Sequence, residues 1–233
     1  MTGIGRRDEP FPPAGTVTRV TPDTRQPALL LIGPTGVGKS PLGGWLEAHG
    51  LAGQRCHHFD CGANLRAAAG GALACGFSDA ELRYVRSILE KGALLTNDTF
   101  HLALRILGAF ILDRGIRPGD LLILNGLPRH VGQAAGLEEA VRIDSVVVLQ
   151  ADAGVVTERL RLNVGGDRTS RVDDDPALVQ RKLATFAEQT LPLIEHYRQR
   201  GARIVAVRVE VGTKPEDAVR LIDESLSAHP VSG

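Results

Sequence analysis

Short runs of apolar residues recur along the chain, and segments with helical periodicity separate them. The strongest runs are four or five residues long and end at polar residues or glycine; they are 28–32, 121–124, 145–149 and 204–207, with a weaker one at 56–59. A continuous apolar run of this length is typical of a strand that is buried on both faces, as in a parallel sheet. Because helical segments alternate with these runs, the sequence predicts an α/β fold, with helices flanking a largely parallel central sheet of about five strands.

The clearest helical pattern runs from Ala177 to Arg200. Its apolar residues recur at helical spacing, and they are Val179, Leu183, Phe186, Leu193 or Ile194, and Tyr197. Gly201 suits the end of this helix, since glycine tolerates the left-handed backbone found there. Pro192 lies inside the pattern and predicts a kink, because proline lacks the N–H group that a helix interior needs.

Composition restricts the classes of partner. The chain has 233 residues, which predicts one domain, and its 27 Lys and Arg residues balance its 27 Asp and Glu residues. A formal net charge of zero argues against a nucleic-acid polymer as partner. No apolar run reaches the roughly 18 residues of a membrane span. We therefore expect a cytoplasmic protein that has no membrane partner.

The N-terminal segment and the cysteines add two expectations. Residues 1–27 mix proline, glycine, threonine and charged residues without periodicity, which predicts a flexible tail ahead of a domain at 28–233. Cys56, Cys61 and Cys75 form no Cys-x-x-Cys pair. Their odd number and their spacing argue against a disulfide scaffold and against a zinc site.

A phosphate-binding loop follows the first predicted strand. The segment Gly-Pro-Thr-Gly-Val-Gly-Lys-Ser at 33–40 matches the pattern G-x-x-x-x-G-K-[ST]. Glycines are needed there because backbone N–H groups must wrap closely around phosphate, and the next helix directs its positive end at the same anion. Lys39 is expected to reach the β- and γ-phosphates, and the Ser40 hydroxyl to bind Mg²⁺. The predicted ATP-binding residues of this loop are Gly33, Gly36, Val37, Gly38, Lys39, Ser40 and Pro41.

Further motifs resemble those of adenylate kinases. The segment Asn-Gly-Leu-Pro-Arg at 125–129, followed by Gln133-Ala134, resembles their Asp-Gly-Phe-Pro-Arg-x-x-x-Gln-Ala stretch. The segment 171–174 resembles their Arg-x-Asp-Asp, and 212–215 resembles their C-terminal segment. Cys61-Gly62, with Arg66 after it, resembles their Thr-Gly-Asp-x-x-Arg. The similarity extends from about residue 28 to about residue 226 and identifies the nucleoside monophosphate kinase family, with a short lid.

The resemblance implies a domain plan and a reaction. It implies a P-loop three-layer core, an insertion at about 60–97 that binds the nucleoside monophosphate, and a short lid at about 163–174. It also implies transfer of the γ-phosphoryl group of MgATP to AMP, giving two ADP, by a monomeric enzyme. Two alternatives stay open: a kinase for another acceptor, such as CMP, UMP or another small phosphate compound, and a nucleotide-binding module with little kinase activity.

The resemblance also assigns roles to individual residues. The implied AMP-binding residues are Cys61, Arg66, Gly126, Arg129, Gln133 and Arg171. Among them Arg66 and Arg129 are expected to hold the α-phosphate, and Gln133 to read the adenine edge. The implied catalytic residues are Lys39, Arg129, Arg159, Arg171 and Lys182. Arg159 and Lys214 are also expected at the donor nucleotide. Ser40 is expected to bind the Mg²⁺ ion, and Asn125 to hold it through a water molecule.

Several positions depart from the family pattern, and they leave fewer charged side chains at the predicted reaction centre. Asn125 stands where the family has an aspartate near the hydrated metal, and Lys182 stands where it has an arginine. Asn163 replaces a second arginine at the entry to the lid. Because Asn and Asp have nearly the same shape, we expect Asn125→Asp to raise activity or tighten the Mg²⁺ dependence. The alternative is that Asp60, at the end of the second strand, already supplies this carboxylate, unless it is an exposed loop residue.

Overall fold

A single parallel sheet forms the centre of the computed structural model, which describes residues 25–166 and 176–228. Its strands lie in the order β2-β3-β1-β4-β5, and their bounds are Gln26–Ile32 (β1), Cys56–Asp60 (β2), Leu121–Asn125 (β3), Val141–Gln150 (β4) and Arg203–Arg208 (β5). All neighbouring pairs are parallel. Each strand contains one of the apolar runs, so the predicted α/β class and the number of strands are confirmed.

Helices cover both faces of this sheet. Their bounds are Lys39–His49 (α1), Cys61–Ala69 (α2), Asp79–Lys91 (α3), Phe100–Asp113 (α4), Val131–Glu138 (α5), Ala153–Leu162 (α6), Pro176–Thr185 (α7), Pro192–Gln199 (α8) and Pro215–Ser227 (α9). Helices α1 and α9 pack on one face, and α4, α5 and α8 pack on the other. Within the described residues, no helix combines the length and the apolar character that crossing a membrane requires.

The alternation of side chains along β1 explains why most of this strand is apolar. Leu29 and Leu31 belong to the core beneath α1 and α9, whereas Leu30 and Ile32 belong to the core beneath α4, α5 and α8. Successive residues of a strand point to opposite faces. A strand with helices on both faces therefore buries every side chain, and an unbroken apolar run results.

The first strand begins earlier than the sequence indicates. Gln26 pairs with Val141 in β4, and its side-chain Nε2 donates to the carbonyl oxygen of Arg117 at 3.2 Å. These contacts extend β1 two residues into the stretch predicted as a tail. The part of that stretch before residue 25 lies outside the described residues.

The long helix predicted over Ala177–Arg200 is interrupted rather than merely kinked. A π-helical turn at Phe186–Thr190 separates α7 from α8, and the Leu191 N–H donates to the Phe186 carbonyl five residues earlier at 3.0 Å. Pro192 has no N–H group, and its ring would crowd the carbonyl one turn before it. The wider turn avoids this crowding, so proline disturbs the helix as predicted, although the change extends over more residues.

The close contact between α1 and β2 leads to a stability prediction. A Cβ atom on Gly43 would lie 2.3 Å from the His58 ring, whereas a Cβ on the adjacent Gly44 would meet no atom within 4 Å. We expect Gly43→Ala to lower the free energy of unfolding by about 1–3 kcal/mol through overpacking. The control Gly44→Ala should raise it by about 0.5–1 kcal/mol, because alanine favours a helix over glycine. Urea denaturation measures both, and equal effects would contradict the described packing.

Candidate active site

The phosphate-binding loop lies at the carboxyl edge of the sheet, between β1 and α1. Gly36 and Gly38 have φ angles of 78° and 107°, a region that other residues rarely adopt. Lys39 is the first residue of α1, and its Nζ atom donates to the carbonyl oxygens of Gly33 and Pro34, both at 2.7 Å. The lysine ammonium is therefore held against the mouth of the loop. This arrangement of N–H groups, helix N-terminus and cation suits a polyphosphate.

A cleft of about 260 Å³ opens beside this loop. Eleven of the candidate site residues from the sequence analysis line it, from segments far apart in the chain: Gly33, Gly36, Lys39, Asp60, Cys61, Arg66, Asn125, Gly126, Arg129, Gln133 and Lys182. The fold brings them together because strands β1, β2 and β3 end at the same edge of the sheet. Most of the implied acceptor-binding residues and three of the implied catalytic residues thus share one cavity.

Apolar side chains that the motifs did not indicate complete the cleft wall. They come from α2, from α3 and from the segment after α3, and they are Leu65, Ile88, Leu89, Leu94 and Leu95. On α3 the apolar residues recur at helical spacing, which indicates a buried face but not which surface that face meets. Apolar side chains beside convergent polar groups are typical of a small-molecule site.

Arg129 lies in the loop between β3 and α5 with its backbone fixed at both polar groups. Its N–H donates to Gln133 Oε1 at 2.8 Å, and its carbonyl accepts from Thr190 Oγ1 at 2.9 Å. The side-chain Nε is buried and has no hydrogen-bond partner among the described residues. Burial lowers the pKa of the guanidinium, although arginine keeps its charge in proteins. A rigidly placed and poorly solvated cation at the cleft wall favours binding of an anion.

Gln133 connects two walls of the cleft. Its side chain is 1% exposed, and its Nε2 donates to the Leu95 carbonyl at 2.8 Å while its Oε1 accepts from the Arg129 N–H. The amide therefore fixes the loop between β3 and α5 to the segment that follows α3. An amide has two N–H groups and two lone pairs. One of each remains beyond these two bonds, so the expected reading of adenine by Gln133 stays a prediction.

A polar cluster joins the loop to the ends of β2 and β3. Asp60 Oδ2 accepts from Ser40 Oγ at 2.8 Å and from Asn125 Nδ2 at 2.9 Å, and Asn125 Nδ2 also lies 3.1 Å from Ser40 Oγ. Asp60 is thus a half-buried partner of the loop and not an exposed loop residue. An aspartate at position 125 would place two carboxylate oxygens against each other where Asn125 now donates to Asp60, which favours the alternative that Asp60 supplies the carboxylate over the expected gain from Asn125→Asp.

A second, smaller cleft of about 130 Å³ lies beside the start of α1. Arg159 of α6 lines it at 5% exposure, and its Nη1 donates to the carbonyls of Glu210, Val211 and Thr213 at 2.8, 2.8 and 3.1 Å. The arginine therefore holds the segment before α9 in place. Val37, Gly38, Pro41 and Lys214 line the same cleft. Arg159 thus lines the smaller cleft, whereas Lys39, Arg129 and Lys182 line the larger one.

The predicted lid is only partly described. Asn163 ends α6 with a left-handed backbone of φ 47°, and the description continues to residue 166. Arg171 and the Arg-x-Asp-Asp segment lie outside the described residues. The role of Arg171 stays a prediction, as do the bounds of the lid and of the insertion at 60–97.

Comparison with known proteins identifies the relatives of this chain. No protein-family model matches it. A protein named adenylate kinase from Synechococcus sp. strain CC9311 is 36% identical over 179 residues, which cover 74% of this chain and 85% of the relative. One of the same name from Parasynechococcus marenigrum strain WH8102 is 31% identical over 205 residues, covering 85% and 98%.

The chain belongs to the adenylate kinase family. Family membership confirms the resemblance found in the sequence and makes the protein a phosphotransferase of the nucleoside monophosphate kinase type. A gluconokinase from Sinorhizobium meliloti 1021 has a related fold, with a TM-score of 0.50, 20% identity, and coverage of 88% of this chain and 94% of the gluconokinase. That likeness shows the fold alone.

The two hydrogen bonds of Gln133 lead to a prediction that separates a structural role from a ligand-binding one. In Gln133→Leu, the Arg129 N–H and the Leu95 carbonyl would lose their buried partner. We expect the free energy of unfolding of the ligand-free protein to fall by about 2–4 kcal/mol. The exposed Gln199→Leu in α8 should change it by less than about 0.5 kcal/mol. Thermal denaturation without nucleotide measures this, and an unchanged stability for Gln133→Leu would show that these bonds contribute nothing.

Proposed function

We propose that this protein transfers the γ-phosphoryl group of MgATP to AMP, giving two ADP. One observation carries the proposal: a single cleft has the phosphate loop with Lys39 on one wall and the cations Arg66 and Arg129 on another. A kinase that joins two nucleotides must hold two groups of phosphates close together, and each group needs its own cations. The relatives named adenylate kinase support AMP as the acceptor.

The smaller cleft suits the base of the donor nucleotide. Gly38 and Pro41, at the start of α1, line this cleft. Arg159, Lys214 and the segment before α9, which Arg159 holds in place, also line it. A donor nucleotide whose phosphates lie in the phosphate loop can place its base in this smaller cleft, apart from the larger cleft. Arg159 would then act by shaping the donor pocket, since its Nη1 is already bonded to three carbonyl oxygens.

The chemistry we propose is direct in-line transfer without a covalent intermediate. Magnesium bound with ATP would neutralise part of the phosphate charge, and the Ser40 hydroxyl is the group of the loop that would hold it. Lys39 and Lys182 would offset the charge of the moving phosphoryl group, while Arg129 would fix the acceptor phosphate. The apolar wall around Leu65 and Ile88 would limit access of water, which would otherwise accept the phosphoryl group.

The cysteines indicate the compartment in which the proposed enzyme acts. All three cysteines are free thiols, and burial raises the pKa of Cys61 to about 12, so this cleft residue stays protonated and unreactive at neutral pH. Free thiols suit a reducing compartment. We propose that the enzyme acts in the cytoplasm, as a monomer.

A coupled assay across acceptors tests the reaction. We expect AMP to give the highest kcat/KM among AMP, GMP, CMP and UMP with MgATP as donor. Lys39→Ala should lower that value at least about 100-fold, because the transferring charge loses its cation. Circular dichroism must show that this variant is folded. A preference for CMP or UMP would reassign the acceptor, and turnover with none of the four would favour a nucleotide-binding module.

A second prediction separates the acceptor side from the donor side. Arg129→Ala should weaken AMP binding by roughly 30- to 150-fold, since a charge-assisted phosphate contact is worth about 2–3 kcal/mol. Binding of an unreactive ATP analogue should change less than threefold. Calorimetric titration with each ligand separately measures both, and Arg220→Ala on the outer surface of α9 is the matched control. Equal losses for the two ligands would argue against an acceptor role.

A further inference from the structure

Asp60 is the one carboxylate among the described residues that lines the larger cleft. Its Oδ2 receives hydrogen bonds from the phosphate-loop residue Ser40 and from Asn125. We propose that Asp60 is the carboxylate that positions the Mg²⁺ ion of the donor nucleotide, and that Asn125 serves to hold Asp60 in place. The inference rests on the proposed function, because the ion is the one that accompanies ATP.

The orientation of the Asn125 amide follows from its partner. A carboxylate can only accept hydrogen bonds, so the NH₂ group of Asn125 must face Asp60 at 2.9 Å. The opposite orientation would place two acceptors against each other. Asn125 is also buried, at the end of a central strand, which leaves its side chain little freedom to turn. It therefore presents hydrogen-bond donors to this cluster, and donors do not attract a cation.

The Ser40 hydroxyl is arranged to bind a cation. A hydroxyl has one proton and two lone pairs. Its proton goes to Asp60, and one lone pair can accept from Asn125 Nδ2 at 3.1 Å. One lone pair is left for an ion. Hydroxyl and carboxylate oxygens are the ligands Mg²⁺ prefers, and it is commonly held by one or two carboxylates together with phosphates and water. The residues present thus fit this ion.

Asp60 is fixed through both of its carboxylate oxygens. Its Oδ1 accepts from the Ala63 N–H and caps the first turn of α2, while strand register sets Asp60 directly beside Asn125. Capping alone is the simpler account of an aspartate at this position. It explains the bond to Oδ1 but not the convergence of Ser40 and Asn125 on Oδ2. A role at the phosphate loop accounts for Oδ2, which capping leaves unexplained.

The substitution Asp60→Asn separates these two accounts, because asparagine caps a helix as well as aspartate does but carries no charge. The measurement is the affinity for an unreactive ATP analogue, titrated calorimetrically with Mg²⁺ and again with EDTA. We expect Asp60→Asn to reduce the gain in affinity that Mg²⁺ gives by about 10-fold or more, the usual effect of removing a group that orients metal ligands. The affinity in EDTA should not fall. The matched control is Asp223→Asn, an exposed aspartate of α9, which should behave as the natural protein does.

Moving the carboxylate gives an independent test. Asn125→Asp should not increase the effect of Mg²⁺, because the new carboxylate would be repelled by Asp60. The exchange variant Asp60→Asn/Asn125→Asp again has one carboxylate and should recover at least part of the Mg²⁺ effect lost in Asp60→Asn. If Asp60→Asn does not fold, as judged by circular dichroism, Asn125→Asp decides alone.

The outcomes also separate this inference from the proposed function. An unchanged Mg²⁺ effect in folded Asp60→Asn, or a larger one in Asn125→Asp, would overturn the inference while leaving the kinase reaction intact. If the natural protein binds the analogue neither with Mg²⁺ nor with EDTA, the proposed function fails, and the inference fails with it.

Discussion

The register of three parallel strands determines the chemistry of this protein. Asn125 at the end of β3 lies beside Leu31 of β1 on one side and beside Asp60 of β2 on the other. The phosphate loop starts two residues after Leu31, so the strand ends bring the loop, an amide and a carboxylate together at one edge of the sheet. A shift of one residue would turn these side chains to the opposite face. Because burial on both faces fixes the register, the apolar core positions the polar cluster.

Hydrogen bonds from side chains to backbone groups fix the loops that form the rest of the site. Gln133 and Thr190 fix the backbone of Arg129, and Arg159 fixes three carbonyls before α9. These polar side chains lie in the low-dielectric interior, where a bond is strong when it is formed and costly when a partner is missing. Each cleft thus owes part of its wall to one buried side chain that stabilises a loop. Loops held in this way can keep their cations in position before a ligand binds, which lowers the cost of ordering them.

The sequence allowed the strands to be predicted well and their order across the sheet hardly at all. Four of the five strands contain strong apolar runs, and β1, β3 and β4 bury theirs on both faces, whereas β5 leaves Ala206 exposed. Strand β2 was the weakest prediction because His57 and His58 interrupt its run. The phosphate loop was evident because its glycines and Lys39 occupy contiguous positions. The bond between Ser40 and Asp60 joins residues 20 positions apart. It depends on β2 lying next to β3, which no local pattern specifies. For the same reason, the hold of Arg159 on the segment before α9 could not be read from the motifs.

The departure from the family pattern at Asn125 has a structural explanation when Asn125 is considered together with Asp60. A lone Asn125 suggests a site that has lost a charge needed near the metal. With Asp60 at 2.9 Å, however, the neutral amide is the side chain that the carboxylate requires, since it donates a hydrogen bond and adds no repulsion. The cluster of Ser40, Asp60 and Asn125 then has a single negative charge beside the loop. A carboxylate is thus present at the neighbouring strand end, so Asn125 alone is no argument for an inactive binding module.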